Sequence, residues 1–165
     1  MIYLGGPMNS RNILIAVLSL SLCGQVQAQE ASCPSALTLG MKAESATSSG
    51  AAQAVPTGAP VAASLHFVDR VFFAVPPRER AIARTYAGNF ALDIAEGGSW
   101  RVALDAEAVI ELVRDGARVA PIAEGVTAGC FVQQARYALT PGHYLLQLSA
   151  SNSPVLSLLV EKTQQ

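Results

Sequence analysis

Residues 90–104 read FALDIAEGGSWRVAL. Phe90, Leu92 and Ile94 alternate with Ala91, Asp93 and Ala95. After Gly97-Gly98, Trp100, Val102 and Leu104 alternate with Arg101, Ala103 and Asp105. A period of two sends one set of side chains to each face of a strand, and paired glycines between two such runs mark a turn, so the stretch predicts two half-buried strands with Trp100 in the core.

The same pattern continues outward. Ile110 and Leu112 alternate with Glu111 and Val113 before Asp115-Gly116, a hairpin signal. Tyr144, Leu146 and Leu148 follow Pro141-Gly142, and Leu156, Leu158 and Val160 follow Asn152-Ser153-Pro154. The run Asp105 to Arg114 has a superficial helical reading, but Val109, Ile110 and Val113 are β-branched and a glycine turn follows directly. Ala81 to Arg84 is the one place where a helical turn is expected. Runs of this length between turns predict an all-β antiparallel sandwich over residues 65–165.

Upstream the texture changes. Residues 34–64 are rich in Ala, Ser, Thr, Gly and Pro, with Ala46 to Ala52 close to low complexity. Residues 29–64 therefore read as a flexible, low-complexity segment with one short strand at Ala36 to Leu39. Before it, Arg11, the apolar run Ile13 to Cys23 and the small-x-small site Val26-Gln27-Ala28 form the three parts of a cleavable signal peptide over residues 1–28. Met8 offers an alternative start. The apolar run is shorter than the roughly 20 residues a membrane span requires, and a lipid-anchor site at Cys23 would need a small residue where Leu22 stands. The expected product is soluble, without a membrane span, in the periplasm or outside the cell.

Lys+Arg number 11 and Asp+Glu 12, for a net charge of -1. Removing the signal peptide takes away one cation, Arg11. No basic excess remains to neutralise phosphates, which argues against a nucleic-acid partner. The two cysteines that survive cleavage, Cys33 and Cys130, are expected to pair in an oxidising compartment, closing a loop of about 97 residues.

Two resemblances rest on these motifs. The order Phe90 to Ala95, Gly97 to Leu104, Ile110 to Gly116 and Leu139 to Leu148 resembles bacterial pre-peptidase C-terminal domains, which carry G-x-Y/W-x-V, a D-G hairpin and L-x-P-G-x-Y in that sequence. The likeness covers Tyr86 to Lys162 and implies a jelly-roll sandwich. Cys33-Pro34, Val113 to Gly116, Cys130 and Leu139 to Leu148 are also similar to short exported proteins named homogentisate 1,2-dioxygenase, a name that implies a non-haem Fe(II) ring-cleaving enzyme.

Such an iron site needs two histidines and a carboxylate on one face. The chain has only His66 and His143 to offer, with Asp69 or Glu111 as the acid, and no H-x-H or H-x-x-x-E spacing joins them. A G-x-S-x-G nucleophile motif is absent from the sequence. Asp93, Glu96, Asp105, Glu107 and Asp115 lie near turns without the spacing of a calcium loop and read as solvated strand ends. Pro76 to Arg80 reads as a polar turn. The residues themselves therefore assign no catalytic, cofactor or metal site. They favour an exported binding or accessory module of the cell envelope with a protein or glycan partner. The small oxygenase is the first alternative. The second is an envelope structural subunit that adds its N-terminal strip to another sheet.

Overall fold

The computed structural model describes Cys33 and residues 39–79, 84–127 and 129–164. The signal peptide, most of the expected strand at 36–39 and the expected helical turn from Ala81 lie outside the described residues.

The fold is the all-β sandwich predicted. One sheet contains β1 (Lys42–Glu44), β2 (Val61–Ser64), β5 (Gly98–Leu104), β8 (Ala123–Val126), β9 (Gln133–Leu139) and β11 (Val155–Lys162) in the order β1-β2-β11-β5-β9-β8. The other contains β3 (His66–Phe67), β4 (Tyr86–Ile94), β6 (Val109–Arg114), β7 (Ala117–Val119) and β10 (Gly142–Ser151) in the order β3-β4-β10-β6-β7. Among the described residues these strands pair antiparallel, except β1 with β2.

The alternating apolar positions meet between the sheets. Phe90, Leu146 and Leu112 form one cross-strand row, and Ala135, Val102 and Val160 form another. All six lie in the single buried core with Trp100. Asp115 and Gly116 both take positive φ, 52° and 76°, which closes the β6–β7 hairpin with a twist matching its strands.

The reading of residues 29–64 as a loose segment needs correction over its described part. β1 and β2 belong to the first sheet, and Val61, Ala62 and Ala63 are buried. Between them the chain crosses to the free edge of β4. Ala46 exchanges backbone hydrogen bonds with Asn89 (2.9 and 3.1 Å), Val55 N–H donates to Ala91 O (2.9 Å), and Ala91 N–H donates to Gln53 O (2.8 Å). Val55 enters the core. Residues 42–64 thus seal one long side of the sandwich. An unpaired strand edge supplies the partners that composition alone does not reveal.

Cys33 and Cys130 are bonded, with Sγ–Sγ 2.08 Å and Cα–Cα 5.0 Å. The bond ties the chain just before the strip to the β8–β9 turn, while β1 lies at the opposite edge of the same sheet. Among the described residues no helix is long and apolar enough to cross a membrane.

Candidate functional site

The outward face of the second sheet carries a row of polar side chains. Gln147 on β10 is the cross-strand partner of both Asn89 on β4 and Glu111 on β6. All three are buried, because residues 72–78 pass over them. Asn89 Nδ2 donates to Phe72 O (3.2 Å). Gln147 Oε1 accepts from Ala74 N–H (3.0 Å) and Val75 N–H (3.1 Å), while its Nε2 donates to Val75 O (2.9 Å). Arg78 N–H donates to Glu111 Oε1 (3.2 Å). The strap thus has backbone groups satisfied by side chains instead of by a neighbouring strand.

The strap ends in a charge cluster on the open side of the sandwich, opposite the sealed one. Glu111 Oε1 also accepts from Arg78 Nε (3.2 Å) and Arg118 Nε (2.8 Å). The remaining Arg78 nitrogens form a fork with Glu124 on β8 (Nη1 3.2 Å, Nη2 2.9 Å). This hydrogen bonding raises the Arg78 guanidinium above its ordinary pKa, against the opposing effect of burial. One side chain therefore clamps β6 of the second sheet to β8 of the first. Glu111 Oε2 is buried and has no hydrogen-bond partner among the described residues.

Arg78 lines two recesses. The larger, about 740 Å³, also has Arg84, Glu107, Glu124, Gln133 and Asn152 in its walls. Of the three non-glycine residues with positive φ among the described residues, two, Arg84 (72°) and Ala150 (57°), line it too. Ala150 sits in the irregularity where β10 slips register against β4 between Leu148 and Ser151, as bulges beside binding sites do. Left-handed backbone at such residues costs on the order of 1–2 kcal/mol each and gathers where structure serves a site. The smaller recess, about 230 Å³, is walled by Glu111, Arg118, Val119, Ala120, Pro121 and Tyr137. Tyr137 O–H donates to Ile110 O (3.2 Å), and burial pushes its phenol pKa well up.

The metal candidates from the sequence do not come together. His66 pairs in register with Ala87 and His143 with Asp93, six residues apart on β4, which is roughly 20 Å at 3.3 Å per residue. His66 Nε2 lies 2.9 Å from Ser45 O, and exposed His143 Nδ1 lies 2.5 Å from Asp93 Oδ1. Asp69 is in the short 3-10 turn Val68–Arg70. Glu111 faces two guanidinium groups, an arrangement that repels a cation. Among the described residues no three His, Cys, Asp or Glu gather within reach of one ion. The residues present do not fit a non-haem Fe(II) centre.

The turn acids divide. Glu96 pairs with Lys162 (2.7 Å) and Asp115 with Arg114 (3.5 Å), both at the surface, and Glu107 lines the larger recess. Asp105 is not a merely solvated strand end: its carboxylate accepts from Ser157 N–H (2.7 Å) and Ser157 O–H (2.6 Å), tying the end of β5 to β11. Sequence reasoning missed Arg118 and Glu124 and placed Arg78 only in a polar turn, because the turn at Pro76 to Arg80 carries no sign of which strands it will meet. Its one available signal was a lone Glu at position 111 inside an apolar strand.

No protein-family model matches the chain, and no curated protein matches it.

Proposed function

We propose that the protein is an exported, non-catalytic binding or accessory module of the cell envelope that holds a protein or glycan partner against the open side of its sandwich. The observation that carries this reading is the larger recess at the Arg78 clamp. Its volume, about 740 Å³, lies within the range of binding clefts. Its walls combine guanidinium, carboxylate and amide groups, which recognise hydroxyls, amides and charges. The strained backbone at Arg84 and Ala150 adds to it. Export is supported by the signal-like N-terminus and the Cys33–Cys130 bond. A structural subunit that lends its N-terminal strip to other chains is disfavoured, since residues 46 and 53–55 are already paired to β4.

The test is affinity capture from native envelope fractions with the mature protein, beside an Arg84→Glu/Gln133→Ala variant. A partner or glycan retained by the wild type and released by the variant is the expected result. Stoichiometric iron in the purified protein, with turnover of an aromatic substrate, would overturn the reading.

A further inference from the structure

The two sheets end in the strands β1, β8, β3 and β7. Short edges and exposed charges are what keep a strand edge from pairing with another chain. β3 has only two residues, β1 carries exposed Lys42 and Glu44, and β7 carries exposed Arg118. β8 is less protected. Val126 on it is 73% exposed, and Ile122 just before it is 59% exposed. Its one charge, Glu124, is matched by the Arg78 fork. We propose that the free edge of β8 pairs with β8 of a second copy of this chain, antiparallel about a two-fold axis at Gly125, which joins the first sheets of the two copies.

The ladder decides which backbone groups face out. Thr127 N–H donates to Val132 O (2.8 Å), and the register sets Val126 against Gln133, Gly125 against Gln134 and Glu124 against Ala135. Antiparallel partners alternate between bonded and non-bonded pairs. Gly125 therefore bonds to β9, whereas the N–H and C=O of Glu124 and of Val126 point away from it. Among the described residues no strand lies on that side.

Charge and hydrogen bonding then select the register between copies. Centred on Glu124, the pairing sets Glu124 opposite Glu124 of the second copy, and like charges directly opposite are destabilising. It also sets Val126 opposite Ile122, whose N–H is already committed to Arg136 O (2.7 Å). Centred on Gly125, it sets Glu124 opposite Val126 and Val126 opposite Glu124, so every outward N–H and C=O of both residues meets its complement. Val126 is then covered by the aliphatic stem of the second copy's Glu124. Gly125 faces Gly125 in the close, non-bonded pair, with Cα atoms about 4.5 Å apart. Such an interface is isologous and closes at two copies. Glu124 and Gly125 also line the larger recess, so the pair presents two recesses side by side. The pairing stands independently of what those recesses hold.

The test is sedimentation equilibrium of the mature protein with its disulfide intact. The mass should rise from monomer toward dimer between about 10 µM and 1 mM, the span of a small, transient interface. Once half the protein is dimeric, amide exchange at Glu124 and Val126 should slow about two-fold or more, while Gly125 and Thr127, already bonded to β9, keep their rates. A mixture of isotope-labelled and unlabelled chains should give an intermolecular Hα–Hα NOE at Gly125. Val126→Pro removes an outward N–H and leaves the bonds to β9 in place. By symmetry it deletes two hydrogen bonds, so it should weaken dimerisation about ten-fold. Val126→Glu, which brings a second carboxylate against Glu124 from an exposed position, serves the same end if the proline variant fails to fold. A monomer at every concentration, a dimer whose Glu124 and Val126 amides exchange as in the monomer, or a dimer indifferent to these substitutions would overturn the proposal.

Discussion

A single methyl group at position 88 should separate the N-terminal strip from the sandwich. A Cβ added to Gly88 would lie 2.3 Å from Ser45 Cβ, 2.4 Å from Ser45 Oγ and 3.2 Å from Leu65 Cδ2. Carbon atoms in contact sit about 3.5–4.0 Å apart, so the overlap with Ser45 exceeds an ångström. A Cβ is fixed to its backbone, and no rotamer of Ser45 relieves the clash. The strip itself must move, and it carries Ser45 N–H to Ser64 O (3.0 Å), the paired bonds between Ala46 and Asn89, and the His66 contact to Ser45 O. Overpacking costs about 1–3 kcal/mol. Losing two of these hydrogen bonds adds about 1–3 kcal/mol. Gly88→Ala is therefore expected to destabilise by about 2–6 kcal/mol in urea unfolding, with faster amide exchange at Ala46 and Ala91. Ser45→Gly removes the opposing Cβ together with a buried hydroxyl that has no hydrogen-bond partner among the described residues. Alone it should cost about 0.5–1 kcal/mol, from backbone entropy. Combined with Gly88→Ala it should restore stability, with a coupling of at least about 1 kcal/mol. Gly88→Ala within 0.5 kcal/mol of wild type on the order-of-magnitude scale of surface changes, or additive single effects, would refute the packing of strip against strand.

Three further outcomes follow from named contacts. Reducing Cys33–Cys130, or replacing both cysteines by Ser, should lower stability by up to about 4–5 kcal/mol, the loop-entropy figure for a separation of 97 residues; a urea midpoint unchanged under reducing conditions would contradict it. Glu111→Ala should cost about 1–3 kcal/mol, since it strands the Arg78 backbone N–H and frees two guanidiniums whose side chains are 39% and 34% exposed, and Arg78→Ala should cost a similar amount, since it leaves the buried Glu111 carboxylate with Arg118 Nε and the backbone N–H of residue 78; both variants within about 0.5 kcal/mol of wild type in denaturant titrations, the scale of surface changes, would be inconsistent with the clamp. Burial raises the Tyr137 phenol pKa above its unfolded value near 10, so its stabilising effect is complete below about pH 10 and is lost as pH rises toward the folded-state value. Tyr137→Phe, which cannot ionise, should show a shallower loss of stability above pH 10 than wild type, and a parallel decline in both would remove Tyr137 as the source.

Strand positions were legible because each is a local statement. Phe90, Leu92 and Ile94 declare a face within five residues, and Asp115-Gly116 declares a turn within two. The strip was not legible, because Ala46 and Ala54 find their partners at Asn89 and Ala91, some forty residues on. Nothing in an Ala/Ser-rich stretch announces an edge strand waiting elsewhere. The site was legible only in part. Glu111 stood out as an acid among apolar residues, but the choice between metal ligand and ion-pair partner depended on Arg78 and Arg118, which converge on it only after β6, β7 and the strap are in place. Cys33 and Cys130 could be paired by counting only once the stretch holding Cys23 was read as a cleavable signal peptide.

The polar row also fixes where the strap lies. Asn89, Gln147 and Glu111 lie on three adjacent strands, so the row spans about 10 Å at 4.8 Å per strand. The chain that follows it, from Phe72 O to Arg78 N, has six residues and would reach roughly 20 Å if extended. It must bend to keep step with the row, and it bends at 74–75 and 78–79. Burial alternates along it all the same: Val71 is buried, Phe73 and Val75 are half-buried, and Ala74 and Phe72, the latter at 74%, are exposed. The hydrogen bonds hold that register: a shift of one residue along the strap would displace Phe72 O, the amides of residues 74 and 75, and Arg78 N–H from their side chains together. Asn89 adds a further constraint, because its Nδ2 also donates to Ala46 O (3.3 Å) and Ser48 bridges to Phe72. Strip and strap therefore meet on one side chain, and the seal on one side of the sandwich and the clamp on the other are held by the same polar row.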